Sequence, residues 1–145
     1  MARKNVVDGL AETLKTCNGF DAVSTGTVSV YSHYALTKGV DRAAIIVNNR
    51  FEQVPLTIGG RWEVSYDIDV ELYIRHNNNI EQARVDADTY VGNIIAHVNN
   101  NRTLGGSAFE AIVAEGRVED ERFTIGGPPY LLEVLTVRAQ EIIGG

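Results

Sequence analysis

The sequence has one cysteine, no surplus of basic residues and no long hydrophobic run. A single cysteine excludes a disulfide within the chain and a metal site built from several thiolates of one chain. Cys17 ends an apolar stripe, so we predict a buried small hydrophobic side chain there and not a reactive thiol. The 13 Lys and Arg residues against 19 Asp and Glu residues give a net charge of −6. This balance argues against binding of a phosphate backbone.

Targeting signals and catalytic motifs are also missing. No apolar run approaches the roughly 20 residues of a membrane span, and the N-terminal residues lack the apolar segment of a signal peptide. We therefore expect synthesis in a cytoplasm and no membrane partner. His33, His76 and His97 do not form an HExxH or HxH pattern, and the glycine pairs do not continue into a phosphate-binding loop. We predict no metal and no cofactor, and we interpret the glycine pairs as turns.

The sequence does contain an unbroken alternation of apolar and polar residues from Trp62 to Arg75. A period of two predicts a β-strand with one face in a core and the other toward water or another chain. Such a strand would extend roughly 45 Å, whereas a domain of this length is about 38 Å across. We expect the strand to bend at a bulge or to run past its own domain. In the second case Leu72, Tyr73 and Ile74 would contact a neighbouring subunit.

The remaining elements follow from periodicity and turn residues. Helices are predicted at 3–17 and 80–98, where apolar residues recur at helical spacing, the second with a capping box from Asn78 to Glu81. Further strands are predicted at 28–31, 43–47, 51–57, 109–118 and 130–139. Asn48-Asn49-Arg50 is interpreted as a tight hairpin turn, which gives three consecutive antiparallel strands. Pro55 predicts an edge or a bulge.

This order predicts one α+β domain spanning residues 1–145. We expect a mainly antiparallel sheet with two helices packed on one face and a long projecting strand or hairpin. The segment from Phe20 to Val40 is expected to be a long loop around one short strand. It is either a binding or assembly segment or an irregular connection packed by its own tyrosines.

Three acidic residues, Asp67, Asp69 and Glu71, fall on the polar face of the long predicted strand. Asp67 and Asp69 would be roughly 6–7 Å apart, within the range of about 6.5–9.5 Å that inverting glycosidases use. Any alternating acidic strand gives this spacing, however, and no nearby group in the sequence would raise one pKa. We therefore expect no enzymatic activity, and a small acidic hydrolase remains a distant alternative.

Several segments together resemble the tail terminator or tail completion proteins of long-tailed bacteriophages. They are the N-terminal amphipathic helix, a hairpin ending in Gly59-Gly60, a long strand ending in YIRHNNN, the helix DADTYVGNIIAHVNNN, the turn TLGG and the strand YLLEVLTVRA. The resemblance covers nearly the whole chain and concerns architecture and pattern. No single motif carries it.

The resemblance implies a structural virion protein without catalytic residues. Members of that family form a ring, usually a hexamer, that sits on the last ring of the tail tube protein, stops tube polymerisation and joins the tail to the head–tail connector protein. The implied location is the tail or neck of the virion, with host cytoplasm during assembly. DNA would be only a passing cargo, repelled by a channel lined by Asp67, Asp69 or Glu71. A merely solvated sheet face is the alternative for these acids, and a head-completion or connector component of the neck is the alternative function.

Overall fold

A computed structural model of the protein describes residues 3–21, 26–56, 59–77 and 79–144. The elements in chain order are α1 (Arg3–Leu14), β1 (Gly26–Val30), α2 (Tyr34–Thr37), β2 (Arg42–Pro55), β3 (Arg61–Arg75), α3 (Ile80–Asn99), a short 3-10 turn (Leu104–Gly106), β4 (Glu110–Phe123) and β5 (Tyr130–Gly144). None of the helices in these described ranges has the length and apolar character needed to cross a membrane.

The strands form one five-stranded sheet in the order β1-β2-β3-β5-β4. The β1–β2 pair is parallel, and the other three pairs are antiparallel. The prediction of an α+β class with a mainly antiparallel sheet is confirmed. The predicted long strand is also confirmed, as β3, and the last predicted strand, β5, lies in the sheet interior between β3 and β4.

The predicted hairpin at residues 48–50 is wrong. The segments on either side of it belong to one strand, β2, which pairs with β3 along its whole length except at a bulge between Asn48 and Arg50. A bulge inserts one extra residue, here Asn49, and changes which residues share a face. The sheet therefore has two consecutive antiparallel strands at this point and not three.

Two further differences concern loops and helix ends. The short strand predicted within the loop from Phe20 to Val40 is present as β1, and the loop also contains the one-turn helix α2, which was not predicted. Helix α3 is capped by Asn79, whose side chain accepts a hydrogen bond from the Gln82 amide. The predicted capping residue Asn78, and Thr57 at the predicted end of the strand before Gly59, lie outside the described residues.

Two clusters of apolar side chains cover the two sides of the sheet. The larger cluster joins residues of α1 and α3 to the even-numbered residues of β3, so we call that side the helix side. The smaller cluster joins Leu36 of α2 to Tyr73, Tyr130 and Leu132 on the opposite side. Cys17 belongs to the larger cluster and is fully buried, as predicted. Burial raises the pKa of its thiol to about 11, with a smaller effect from Asp21.

Candidate functional site

Asp67 lies between two arginines on the sheet side opposite the helix side. The bulge in β2 sets Arg50 beside Asp67 on one neighbouring strand, and the register of β5 sets Arg138 beside it on the other. Arg50 Nε donates to Oδ2 at 2.7 Å and Arg138 Nε donates to Oδ1 at 2.9 Å. Burial alone would raise the pKa of Asp67. The hydrogen bonds and charges of Arg138 and Arg50 outweigh burial and hold that pKa below its usual value.

Asp69 and Glu71 also accept hydrogen bonds within the sheet. Thr136 Oγ1 donates to Asp69 Oδ1 at 2.8 Å, and Asn49 Nδ2 donates to the same oxygen at 3.3 Å. Glu71 Oε1 lies 2.8 Å from His33 Nε2 and 2.9 Å from the Tyr73 hydroxyl, which donates to it. All three acids predicted on this strand face are therefore hydrogen-bonded to side chains around them.

The polar residues around Glu71 line a shallow depression of about 420 Å³. Tyr73 is buried on one side of it, where its ring makes edge contacts with His33 and Tyr130. Burial and the hydrogen bond to Glu71 raise the pKa of the Tyr73 hydroxyl, so it stays protonated. Within the described residues, no group of three or more His, Cys, Asp or Glu side chains is arranged to hold a metal ion.

The burial of Asp67 corrects the role that the sequence suggested for it. Its side chain is 8% exposed and its charge is balanced by two arginines. It therefore offers no free negative charge to a channel, and a carboxyl with a lowered pKa is a poor proton donor for glycoside hydrolysis. Asp69 and Glu71 are partly exposed and remain the candidates for a channel lining.

The subunit-interface residues suggested by the sequence are also corrected. Leu72, Tyr73 and Ile74 are 0%, 1% and 3% exposed in the isolated chain. Their side chains already pack in the two apolar clusters, so they have no free surface to bury against a neighbour. The exposed end of the strand is the opposite one, where Trp62 is 37% exposed.

The β2 edge of the sheet is uncovered beyond the end of β1. β1 pairs only with residues 42–46, which leaves β2 from Asn48 to Pro55 without a partner on that side among the described residues. Phe51 is 58% exposed there, and the guanidinium of Arg3 lies over its ring, 5.9 Å from the centroid. By register, Phe51 and Trp62 both point to the helix side. We call Arg3, Phe51 and Trp62 the hairpin patch.

The β4 edge forms the other border of the sheet. A groove of about 540 Å³ runs between α3 and β4 on the helix side. The residues that line it are Asp88, Val91 and Ile95 of α3, residues 113–118 of β4, and Glu133 and Leu135 of β5. We call this surface the α3–β4 groove. Val118 in it is 58% exposed and Ile95 is 37% exposed, so the groove presents apolar side chains to solvent.

The two edges differ in charge. β4 carries more acids than bases, namely Glu110, Glu115, Glu119, Asp120 and Glu121 against Arg117 and Arg122. α3 adds Glu81, Asp86 and Asp88 against Arg84. The uncovered part of β2 has no such excess of acids, since it carries Glu52 and Arg50, which pairs with Asp67. In the groove, burial and the nearby charge of Asp88 raise the pKa of Glu133.

Sequence reasoning missed both edge surfaces. Phe51 and the acidic residues of β4 can be read from the sequence, but the strand order that places them on opposite borders of the sheet cannot.

Neither protein-family models nor curated proteins give a match to this chain.

Proposed function

We propose that this chain is a structural protein of a long-tailed bacteriophage that forms a ring on the end of the tail tube. The ring ends tube polymerisation and joins the tail to the head–tail connector. The phage assignment is supported by the resemblance of the sequence to tail terminator proteins. The assembly role is supported by the surface of the folded chain.

The observation that carries the assembly role is the presence of two long sheet edges that no strand of the described residues covers. Residues 49–55 of β2 and 114–120 of β4 are all exposed. Long edge strands with exposed apolar residues promote association, and proteins that work as monomers usually protect them. Here Phe51 and Val54 are exposed in β2, and Val118 is exposed in β4. Association through both edges accounts for this exposure.

The proposed partners are further copies of the chain in a hexameric ring, the tail tube protein on one side and the connector protein on the other. DNA passes through the ring without being bound, and the net charge of −6 fits that role. The protein acts in the virion tail or neck after assembly in the host cytoplasm. Its function is structural and not catalytic.

The first experiment measures the mass of the purified protein by native mass spectrometry and by light scattering. We expect a closed oligomer at micromolar concentration, visible as rings by negative-stain microscopy. A chain that stays monomeric and does not appear as a ring in purified particles contradicts the proposal.

The second experiment separates a tail terminator from a head-completion component. The tail tube protein of the same phage is polymerised with and without this chain, and tube lengths are measured by electron microscopy. A terminator shortens the tubes and is found at one end of each. Tubes of unchanged length, together with binding to filled heads, identify a head-completion component instead.

A further inference from the structure

We propose that the hairpin patch of one copy docks in the α3–β4 groove of the next copy. This inference rests on the proposed ring and specifies the contact that closes it. Phe51 of one copy contacts Ile95 and Val118 of its neighbour. Arg3 of the first copy pairs with Asp88 and Glu133 of the second.

The first argument is that the hairpin patch and the α3–β4 groove are chemically complementary. The hairpin patch has two exposed aromatic rings and a guanidinium that has no carboxylate partner among the described residues. The groove has exposed apolar side chains and two neighbouring carboxylates, Asp88 and Glu133, that have no basic partner in the described part of the chain. Arg117 also lines the groove, but its guanidinium pairs with Glu119 at 2.7 Å. Aromatic residues and arginine are enriched in subunit interfaces, where they dominate the binding energy.

The second argument is the location of the two surfaces. They lie on opposite borders of the same sheet, and both face the helix side. A contact between two different surfaces of identical chains repeats from copy to copy and closes into a ring when the rotation allows it. Because one chain carries both halves, a second copy of this chain is the occupant that fits the groove.

The third argument concerns Glu133. Burial and Asp88 disfavour its charged form in the isolated chain. A guanidinium placed between the two carboxylates would remove this repulsion and would offer two hydrogen-bond donors to them. The groove is thus better suited to a cationic partner than to water alone.

The test is a charge exchange measured by analytical ultracentrifugation. Arg3→Glu and Asp88→Arg each place like charges across the proposed contact, and each is expected to reduce the ring population strongly. The double variant restores an opposite-charge pair and should restore the ring. Glu at the first turn of α1 is compatible with the helix dipole, so Arg3→Glu should fold normally. Lys15→Glu makes the same charge change on an exposed part of the chain outside both surfaces and should leave the ring intact.

The apolar half of the contact has its own matched pair of variants. Phe51→Ala should weaken the subunit contact by about thirtyfold in Kd, as expected for a central interface aromatic. Tyr34→Ala removes another aromatic ring, which is 65% exposed on α2, and should have no effect on the Kd. Circular dichroism confirms that each variant is folded before its mass is measured.

A cysteine pair tests the same contact without disturbing charge. Phe51→Cys and Ile95→Cys in one chain should give a covalent ladder of subunits under mild oxidation, while each single variant should not. Cys17 does not interfere because it is fully buried.

The outcomes distinguish a failure of the proposed contact from a failure of the proposed ring. A wild-type chain that is monomeric overturns the proposed function and this contact together. A wild-type ring that survives both single charge changes and gives no ladder overturns only this contact. Single variants that dissociate without rescue in the double variant also overturn the proposed pairing of Arg3 with Asp88.

Discussion

Replacing Asp67 with Asn isolates the contribution of its two ion pairs to stability. Asn keeps the shape and one acceptor oxygen but removes the charge that Arg50 and Arg138 bind. A hydrogen bond to a charged group contributes about 1.5–3 kcal/mol, and an exposed ion pair contributes about 0–1 kcal/mol. The carboxylate is buried, but the two arginine side chains are 66% and 42% exposed. We therefore expect the free energy of unfolding to fall by about 1–2 kcal/mol near neutral pH, after allowing for solvent screening.

The loss of stability caused by Asp67→Asn should depend on pH in a defined direction. The pKa of Asp67 is lower in the folded chain than in the unfolded one. The stabilisation is therefore fully present above the unfolded pKa of about 3.9, and it is lost as the pH falls through the lower folded pKa. The difference between wild type and Asp67→Asn should be largest near neutral pH and should disappear in strong acid.

Urea unfolding followed by circular dichroism measures this difference at several pH values. Protein concentration is held constant because subunit association adds to apparent stability. The control is Asp8→Asn, which removes an ion pair to Lys4 of 2.7 Å in which the Asp8 side chain is 51% exposed. That change should have a much smaller effect on the free energy of unfolding, because both side chains are exposed and the charges are screened by solvent. Equal stability of Asp67→Asn and wild type near neutral pH would refute the reasoning, and so would a loss that persists unchanged in strong acid.

Three further predictions concern the core, a helix cap and the cysteine. Leu72→Ala should reduce the free energy of unfolding by about 2–5 kcal/mol in urea titrations, because Leu72 is fully buried; a loss of ring assembly without a loss of stability would contradict this. Asn79→Ala should cost about 1 kcal/mol in the same assay, since its side chain caps α3. Cys17 should not react with a thiol reagent at mildly alkaline pH until the protein is unfolded, because burial raises its pKa to about 11. Rapid labelling of the native protein would contradict that prediction.

The elements that the sequence predicted well are those with an uninterrupted period. β3 alternates without error, and α3 keeps its apolar stripe from Ala83 to Val98, so local pattern and tertiary packing agree. In β2 the local sequence pattern and the tertiary packing disagree at the bulge. Asn48-Asn49-Arg50 has the chemistry of a turn, but pairing with β3 on both sides of it keeps the strand continuous. Local chemistry alone does not distinguish a bulge from a turn.

The candidate surfaces were harder to predict from the sequence because they depend on strand order. The alternation in β3 placed Asp67 on the polar face correctly, but the arginines that cover it come from strands 17 and 71 residues away. The length of β3 led us to expect exposure at the end with Leu72 and Ile74, but the exposed end is the one with Trp62. Packing on both sides of the sheet decides this, since α2 covers Tyr73 on one side and the helix-side cluster contains Leu72 and Ile74, whereas Trp62 belongs to neither cluster.

The position of β5 also affects when the proposed subunit contact can form. β5 is the last strand of the sheet to be synthesised, yet it lies between β3 and β4 and pairs with both. Until β5 is inserted, β4 has no neighbour in the sheet, and the groove beside α3 lacks the wall that Glu133 and Leu135 supply. The contacts between β3 and β5 are distant in sequence and form late, because the long segment between these strands must close first. A chain on the ribosome that lacks β5 is therefore unable to offer the groove to a neighbour, and the proposed ring could form only from chains in which β5 is in place.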